Sequence, residues 1–441
     1  MELIIAELSR YVLIILFAFY TLFSFRAFSR KTEEGKNAVW HAQRTITVLI
    51  LLLCGSILIM ETKELRYLVL LGLELAFYVF FVKIYQVFYR GLSKLVLNNM
   101  MICMMIGLVM LGRLKYEYAI RQLVMAVCLL VPLFIERFTI WEKLSWQYAL
   151  AGILFLMLVF VIGVEKYGAK NWISLGGIDI QPSEFVKIIY VFFIAGALSK
   201  FRDFKHIVVI SAIAAVHVLI LVAEKDLGAA LIYFITYLVM LYSATMQVGY
   251  LAAGLGAGAV AAVVAYKLFS HVQTRVTAWK EPWQHINNEG YQICRSLFAI
   301  GTGGLFGMGL GQGLPESVPV VESDFIFSAI SEELGVIFSV CLILVYVSSY
   351  IMFVNIAMKM KKMFYKLTAF GLSVVFIFQT FLCVGGASKF IPSTGVTLPL
   401  ISYGGSSIIT TIVIFSIIQG MYVLNEREAG DMVERREREN D

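Results

Sequence analysis

The sequence predicts an all-α polytopic membrane protein, and three observations carry that reading. The chain is 60% hydrophobic and only 15% charged over 441 residues, where a soluble domain has roughly 45–50% apolar and 25% charged residues. Its apolar runs are continuous and helix-length, unlike the alternating strands of a membrane barrel. Lysine and arginine gather in alternate connections, as orientation in a bilayer requires. The net charge of +6 reflects that loop asymmetry and not nucleic-acid binding.

A helix needs ~20 apolar residues to cross, fewer where it is re-entrant, and about thirteen runs qualify. They are Leu8–Phe28, Thr45–Met60, Tyr67–Tyr89, Leu97–Leu111, Leu123–Ile135, Tyr148–Val164, Ser183–Leu198, His206–Ala223, Leu227–Ala244, Val248–Phe269, Ile326–Val354, Leu367–Val384 and Leu398–Val423. Cations mark every second loop: Arg26 to Arg44, Arg90/Lys94, Arg137/Lys143, Lys200/Arg202/Lys205, and Lys359 to Lys366, then Arg427 to Arg438 in the tail. If each run crosses once, all fall on one side, which is the cytoplasm. The N-terminus and the His271–Asp324 loop then lie outside, and the C-terminus is cytoplasmic. Arg10 precedes a long apolar run without a small-residue cleavage site, so no cleavable signal is expected. Residues 425–441 alternate acid and base and read as a solvated helix end.

The cysteines Cys54, Cys103, Cys128, Cys294, Cys341 and Cys383 show no metal-ligand spacing and no disulfide framework. Five sit in apolar runs and read as small buried hydrophobes.

His271 to Gly335 is the longest stretch that cannot sit in hydrocarbon. It gathers Arg275, Glu281-Pro282-Trp283, a glycine-dense run from Gly301 to Gly313, Glu316, Glu322 and Asp324. Long loops are usually functional or disordered, and its aromatics argue against disorder. Asp324 directly precedes an apolar run. A carboxylate at that boundary serves as a general base if a hydroxyl comes within reach, or, with Ser323, as a helix N-cap. From spacing alone, capping stands ahead.

Two earlier stretches put charge at membrane helix starts. In Gln181-Pro182-Ser183-Glu184-Phe185-Val186-Lys187, proline opens a helix, and Glu184 and Lys187 share a face. They are either an interhelical ion pair or the wall of a polar cavity. In Glu224-Lys225-Asp226-Leu227-Gly228, Asp226 is placed to cap a helix or to pair with Lys187. Prolines and glycines interrupt the apolar sequence from Gly385 to Ser407. Irregular backbone at that depth must be buried or line a cavity. A re-entrant turn and a glycine-kinked helix are expected there, with Ser402, Ser406 and Ser407 offering hydroxyls.

Taken in order, GAKNWISLG, QPSEFVK, EKDLGAAL, RVTAWKEPW, GYQICRSLFAIGTGGLFGMGLGQG, SDFIFSAISEELG and PSTGVTLPLISYGGSS resemble the SEDS family, the RodA/FtsW/SpoVE group. The resemblance covers roughly Leu97 to Val423. It implies a SEDS-type ten-helix bundle, to which this chain adds about three N-terminal helices within 1–96. The glycosyltransferase membrane domain is then 97–424, with its large extracellular loop at 270–325 and a charged tail at 425–441.

The resemblance implies a peptidoglycan glycosyltransferase in the bacterial cytoplasmic membrane, polymerising lipid II onto a nascent glycan strand at the outer face. It implies a class B penicillin-binding protein, a transpeptidase, as partner. A divalent cation, magnesium or manganese, is implied, and no organic cofactor. The family's catalytic aspartate falls on Asp324. Substrate-binding positions fall on Glu316, Arg275, Lys187, Glu184, Gln181 and Asp226, with Ser402 and Ser406 beside them. Arg275 and Lys187 are the cations expected to stabilise the leaving pyrophosphate. Here Glu322-Ser323 stands where the family has His-Thr, and Lys225 stands where it has proline. A lipid II flippase and a scaffold for the transpeptidase are the alternatives; the chain shows no inverted repeat of the transporter kind.

Overall fold

The computed structural model describes residues 2–30, 32–128, 139–166, 169–176 and 178–440. Helices dominate it. The chain opens with α1 (Glu2–Ser29), α2 (Glu33–Thr62) and α3 (Leu65–Phe88), then α4 (Lys94–Leu114), α5 (Tyr116–Cys128), α6 (Thr139–Lys143) and α7 (Ser145–Ile162). After three short strands follow α8 (Pro182–Lys200), α9 (Phe204–Ala223), α10 (Leu227–Thr245) and α11 (Val248–Leu268). The large loop contains α12 (Ser270–Lys280), α13 (Tyr291–Gly303) and a 3-10 turn, Pro315–Ser317. The chain closes with α14 (Ile326–Lys359), α15 (Met363–Ala387) and α16 (Gly405–Asn440).

Among the described residues, 12 helices are long and apolar enough to cross a membrane. The further expected run, Leu123–Ile135, starts in α5 and continues into 129–138, outside the described residues. Helix starts follow local chemistry. Thr32 caps α2 by accepting from the Gly35 N–H, with Glu33 and Glu34 in the first turn. Pro182 opens α8, and Asp226 caps α10.

Residues 164–180 depart from helix. There β1 (Val164–Lys166), β2 (Ala169–Leu175) and β3 (Ile178–Ile180) form an antiparallel meander in the order β1-β2-β3. Trp172 pairs with Val164, and Ile173 with Ile180. Hydropathy does not signal strands of three residues.

α4 is the axis of the bundle, buried from Leu95 to Gly112. Its two asparagines make this tolerable, because a polar group in an apolar interior must find partners. Asn99 Oδ1 accepts from Tyr20 of α1 at 3.1 Å, and its Nδ2 donates to Ser348 and Ser349 of α14 at 3.3 and 3.2 Å. Asn98 Nδ2 donates to Gln43 of α2 at 3.2 Å. Phe17 of α1 stacks on Phe338 of α14 with centroids 4.2 Å apart. α1 and α2 thus join the rest through a buried polar network, and α1 by packing as well.

α14 is broken at Gly335, where φ is 88° and ψ is 165°. The glycine kink therefore lies here and not in the last helix. The broken turn takes new partners from the glycine-rich loop: Met308 N donates to Glu332 O and Gly309 N to Glu333 O, at 2.8 and 2.9 Å. Val336 N in turn donates to Gly304 O at 3.0 Å. A Cβ on Gly335 would meet Gly307 N at 2.4 Å. The glycines of 303–313 let two backbones pair at close range.

Arg113 at the end of α4 locks this arrangement. Its Nε donates to Glu333 Oε1 and its Nη1 to Glu316 Oε1, both at 2.9 Å, while Nη2 donates to Gly313 O at 3.1 Å. From the other side, Arg10 of α1 donates to Gly307 O at 3.0 Å, and Gln312 donates to Glu61 of α2 at 3.0 Å. The beginning of α1 and the end of α2 therefore lie at the same end of the bundle as the large loop.

Candidate functional site

The site is built around the irregular segment between α15 and α16. Lys389, Gly395 and Leu400 there take positive φ values of 60°, 72° and 69°, yet Leu398, Leu400 and Ile401 are buried. The backbone here is irregular and buried, as expected of a stretch interrupted by prolines and glycines. It fits because α4 offers Gly107, where a Cβ would meet Leu400 O and Ile401 Cα at 2.8 Å. Tyr346 of α14 donates to Pro399 O at 2.5 Å.

Asp324 is not a helix cap. The N-cap of α14 is Phe325, with no side-chain capping bond. The Asp324 carboxylate is left for other work: Oδ1 accepts from Ser323 Oγ at 2.9 Å, and Oδ2 faces Gly395. A Cβ at Gly395 would stand 3.4 Å from Asp324 Oδ2 and 3.7 Å from Arg275 Nη2. Acid and guanidinium therefore flank one glycine. Arg275 is fixed by donating to Ser393 O at 3.2 Å. Ser402 holds the other side, donating to Ser323 O at 2.5 Å, and Tyr403 N donates to Glu322 O at 2.7 Å.

Burial pushes the Asp324 carboxyl above the ordinary aspartate range; Ser323 and Arg275 oppose that, while Glu322 and Asp226 add to it. Burial pulls the Arg275 guanidinium down, against Asp324 and Asp226.

Asp226 forms a second centre beside the first. Oδ1 caps α10 through the Ala229 N–H at 3.1 Å. Oδ2 accepts from Asn171 of β2 at 2.9 Å, from Gln181 at 3.0 Å and from Ser183 at 3.1 Å. Ser406 accepts from Gln181 N at 3.0 Å. The two centres meet through the loop, since a Cβ on Gly228 would stand 2.9 Å from Thr394 O.

Lys187 does not pair with Asp226. It donates to Glu184 at 2.6 Å and to Gln379 of α15 at 2.8 Å, and Thr410 also donates to Glu184 at 3.0 Å. Lys187 is 2% exposed. The ion pair therefore lies within α8 and not between helices; Gln379 of α15 and Thr410 of α16 bind it from outside, so its lysine is already engaged.

Arg275, Asp324 and Ser402 therefore come together, with Asp226, Gln181 and Ser406 adjoining. Lys187 and Glu184 lie a layer away. Glu316 is bound to Arg113 at 2.9 Å and so braces the loop. Residues that motif reading passed over include Gly395, Ser393, Asn171, Arg113 and Gln379. A lone glutamine within the apolar run Leu367–Val384 was the available signal for Gln379.

A divalent cation would need about six oxygen ligands. Among the described residues no three acidic, histidine or cysteine side chains gather to hold one, and both oxygens of Asp226 are engaged. The described residues thus offer no all-protein cage of ligands; a magnesium-like ion is instead held by one or two carboxylates together with substrate phosphates.

An apolar groove of about 360 Å³ opens between α14 and α15, with Tyr346, Phe381, Ser388 and Phe390 in its lining.

Comparison with known proteins agrees with this architecture. Residues 93–426 match the sequence model of the FtsW/RodA/SpoVE family, described as cell cycle protein. The peptidoglycan glycosyltransferase RodA of Mycobacterium tuberculosis is 38% identical over 288 residues, covering 61% of this chain and 61% of the relative. The match thus spans about three fifths of that relative's length. A chain from a solved peptidoglycan synthase complex, studied for the coordination of polymerization and crosslinking, superposes with a TM-score of 0.66 at 24% identity, covering 77% of this chain and 99% of that one. The rod shape determining protein RodA of Thermus thermophilus gives 0.58 at 24% identity, over 76% of this chain and 97% of that one. These two likenesses establish the fold. With the family match spanning α4 to α16 and the helical bundle in agreement, the chain belongs to the FtsW/RodA/SpoVE family of multi-pass membrane proteins.

Proposed function

We propose that this chain is a peptidoglycan glycosyltransferase that polymerises lipid II at the outer face of the cytoplasmic membrane. The observation that carries the reading is the state of Asp324. It is a half-buried carboxylate released from helix capping, bonded by Ser323, whose carbonyl Ser402 straps, and facing Arg275 across Gly395. The name of the mycobacterial relative points to the same activity.

In this reading Asp324 takes the proton from the 4-hydroxyl of the acceptor sugar on lipid II. That oxygen bonds to C1 of the donor sugar at the end of the growing strand as the bond from C1 to its diphosphate oxygen breaks. The configuration inverts and a β-1,4 linkage results. A raised carboxyl pKa makes Asp324 a stronger base while it stays ionised. Arg275 meets the negative charge that develops on the leaving diphosphate. Asn171, Gln181 and Ser183 hold Asp226 as a rigid wall, and the apolar groove beside Ser388 takes part of a polyprenyl tail. No step is routed through a metal ion.

The large loop and the N-terminus lie outside and the C-terminus lies in the cytoplasm. The alternate-loop cations support this, as does the shared end of the bundle set by Arg10 and Gly307. A class B penicillin-binding protein is the proposed partner, consistent with the synthase complex among the structural neighbours. The test is incubation of the purified chain with labelled lipid II, with and without that transpeptidase. Long glycan products are expected; their absence in both arms, with lipid II translocated in vesicles, would favour a transporter instead.

A further inference from the structure

The turn between α9 and α10 puts a lysine in a slot that suits glycine. Lys225 has φ of 63°, a left-handed conformation that a residue with a side chain rarely adopts. Backbone bonds from Lys225 N to Val222 O at 3.0 Å and from Asp226 N to Leu221 O at 2.9 Å enforce it. The side chain is exposed, and among the described residues its ammonium makes no hydrogen bond or ion pair. These two bonds are the pair that closes a helix C-terminus on a left-handed residue, a place usually given to glycine.

What surrounds it is unpaired as well. His271 lies one helical turn before Arg275 on the same face of α12, and its Nε2 is buried without a hydrogen-bond partner. Thr394 Oγ1 is also buried and unpartnered. Thr394 lies between Ser393, whose carbonyl holds Arg275, and Gly395, which separates Arg275 from Asp324. Gly228, three residues after Lys225, packs on the same Thr394. Burial, then the charges of Arg275 and Lys225, holds His271 below its ordinary range, so both cations lie near enough for their charge to act on it.

Buried polar atoms left unpaired cost stability. Here they lie beside Arg275 and the proposed base, while Lys187 is engaged by Glu184 and Gln379. A leaving diphosphate carries more charge than Arg275 alone offsets.

We propose that Lys225, His271 and Arg275, with the Thr394 hydroxyl, form a binding site for a lipid-linked diphosphate, and that Lys225 rather than Lys187 is its second cation. The proposal rests on the glycosyltransferase reading of Asp324 and names the group that leaves. Lys225 contributes a point charge, and His271 and Thr394 contribute neutral donors to phosphate oxygens.

The experiment measures binding of farnesyl diphosphate, farnesyl monophosphate and inorganic diphosphate to the purified full chain in detergent. Lys225→Gln and His271→Ala are each expected to weaken farnesyl diphosphate binding about tenfold, the loss of one charge-assisted hydrogen bond. Lys225→Arg is expected to restore it, and the monophosphate to respond less. Unchanged binding in Lys225→Gln overturns the site, as does equal weakening for both prenyl phosphates. Lys225 is exposed, so an unchanged melting temperature accompanies its variants. Glycan synthesis from lipid II in the same preparations separates the two claims. Lys225-dependent diphosphate binding without polymerisation overturns the enzyme reading and keeps the site; polymerisation with Lys225-independent binding does the reverse.

Discussion

Ser402 donates its hydroxyl to the Ser323 carbonyl at 2.5 Å, so the residue before the proposed base is held by the irregular segment. The same hydroxyl accepts from Leu398 N at 2.8 Å. Ser402→Ala removes both bonds and leaves buried backbone groups unsatisfied, a loss of about 1–3 kcal/mol. Displacing a reacting group by about 1 Å can cost 10²-fold in rate. The expected outcome is a fall in kcat with KM little changed, and recovery in Ser402→Thr. Steady-state polymerisation beside a thermal melt checks this, and a variant that loses only stability speaks against a positioning role.

Asp324→Asn keeps the shape of the side chain and removes the base. Glycan synthesis should drop roughly 10²–10⁴-fold with an unchanged melting temperature. Normal synthesis by the variant would remove Asp324 from the reaction. Burial raises the Asp324 carboxyl, and Glu322 adds to it, so the acid limb of the pH–rate profile should lie above the ordinary aspartate range. Glu322→Gln removes a like charge and should move that limb to lower pH.

Gly395 separates Asp324 from Arg275 with φ of 72°. Gly395→Ala puts a methyl 3.4 Å from Asp324 Oδ2 in a backbone conformation that costs roughly 1–2 kcal/mol. Both stability and polymerisation should fall, which melting and product length together report.

Glu224 is 1% exposed, and neither carboxylate oxygen has a partner. Burial, then Asp226, pushes its carboxyl up to about 8. The folded state therefore holds a proton that the unfolded chain releases near the ordinary glutamate value, about 4.3. Its contribution is fully present below that value and is lost as pH rises through about 8. Melting temperature should decline across that window, and Glu224→Gln should flatten the decline. An equal slope in both proteins would mean that other groups set it.

Glu333 is fully buried, and Arg113 is its cation. Breaking a buried pair from one side costs about 3–5 kcal/mol because it strands the other charge. Arg113→Ala should therefore destabilise strongly and loosen the glycine loop, detectable as faster proteolysis between Gly301 and Glu316. Glu316→Gln, at the exposed end of the same clamp, should cost less than about 1 kcal/mol.

The spans were legible because an apolar run of helix length carries its own signature. The caps at Pro182 and Asp226 were legible because one side chain suffices for each. The start of α14 was not. Ser323 and Asp324 both have the chemistry of a cap, yet the chain enters the helix through Phe325, because Ser402 and Tyr403 hold the preceding carbonyls from 79 residues away in the case of Ser402. Lys187 had two acidic candidates; the shared face with Glu184 was visible in spacing, while Gln379 was a tertiary fact. The glycine-dense run from Gly301 to Gly313 was visible in the sequence, but its reason was not. The glycines are there because a second backbone, broken at Gly335, runs against them.

The bond from Arg10 to Gly307 spans 297 positions and sets an order of events in synthesis. At about 5–20 residues per second, α1 emerges roughly 15–60 seconds before the loop it secures. Its wall is standing when Gly301 to Gly313 leaves the ribosome, whereas Arg113 waits for Glu333 to follow. The glycine loop is thus received by a finished surface on one side and completed by a later helix on the other. Delay in inserting the leading helices would leave this loop without its first anchor while the kinked helix forms.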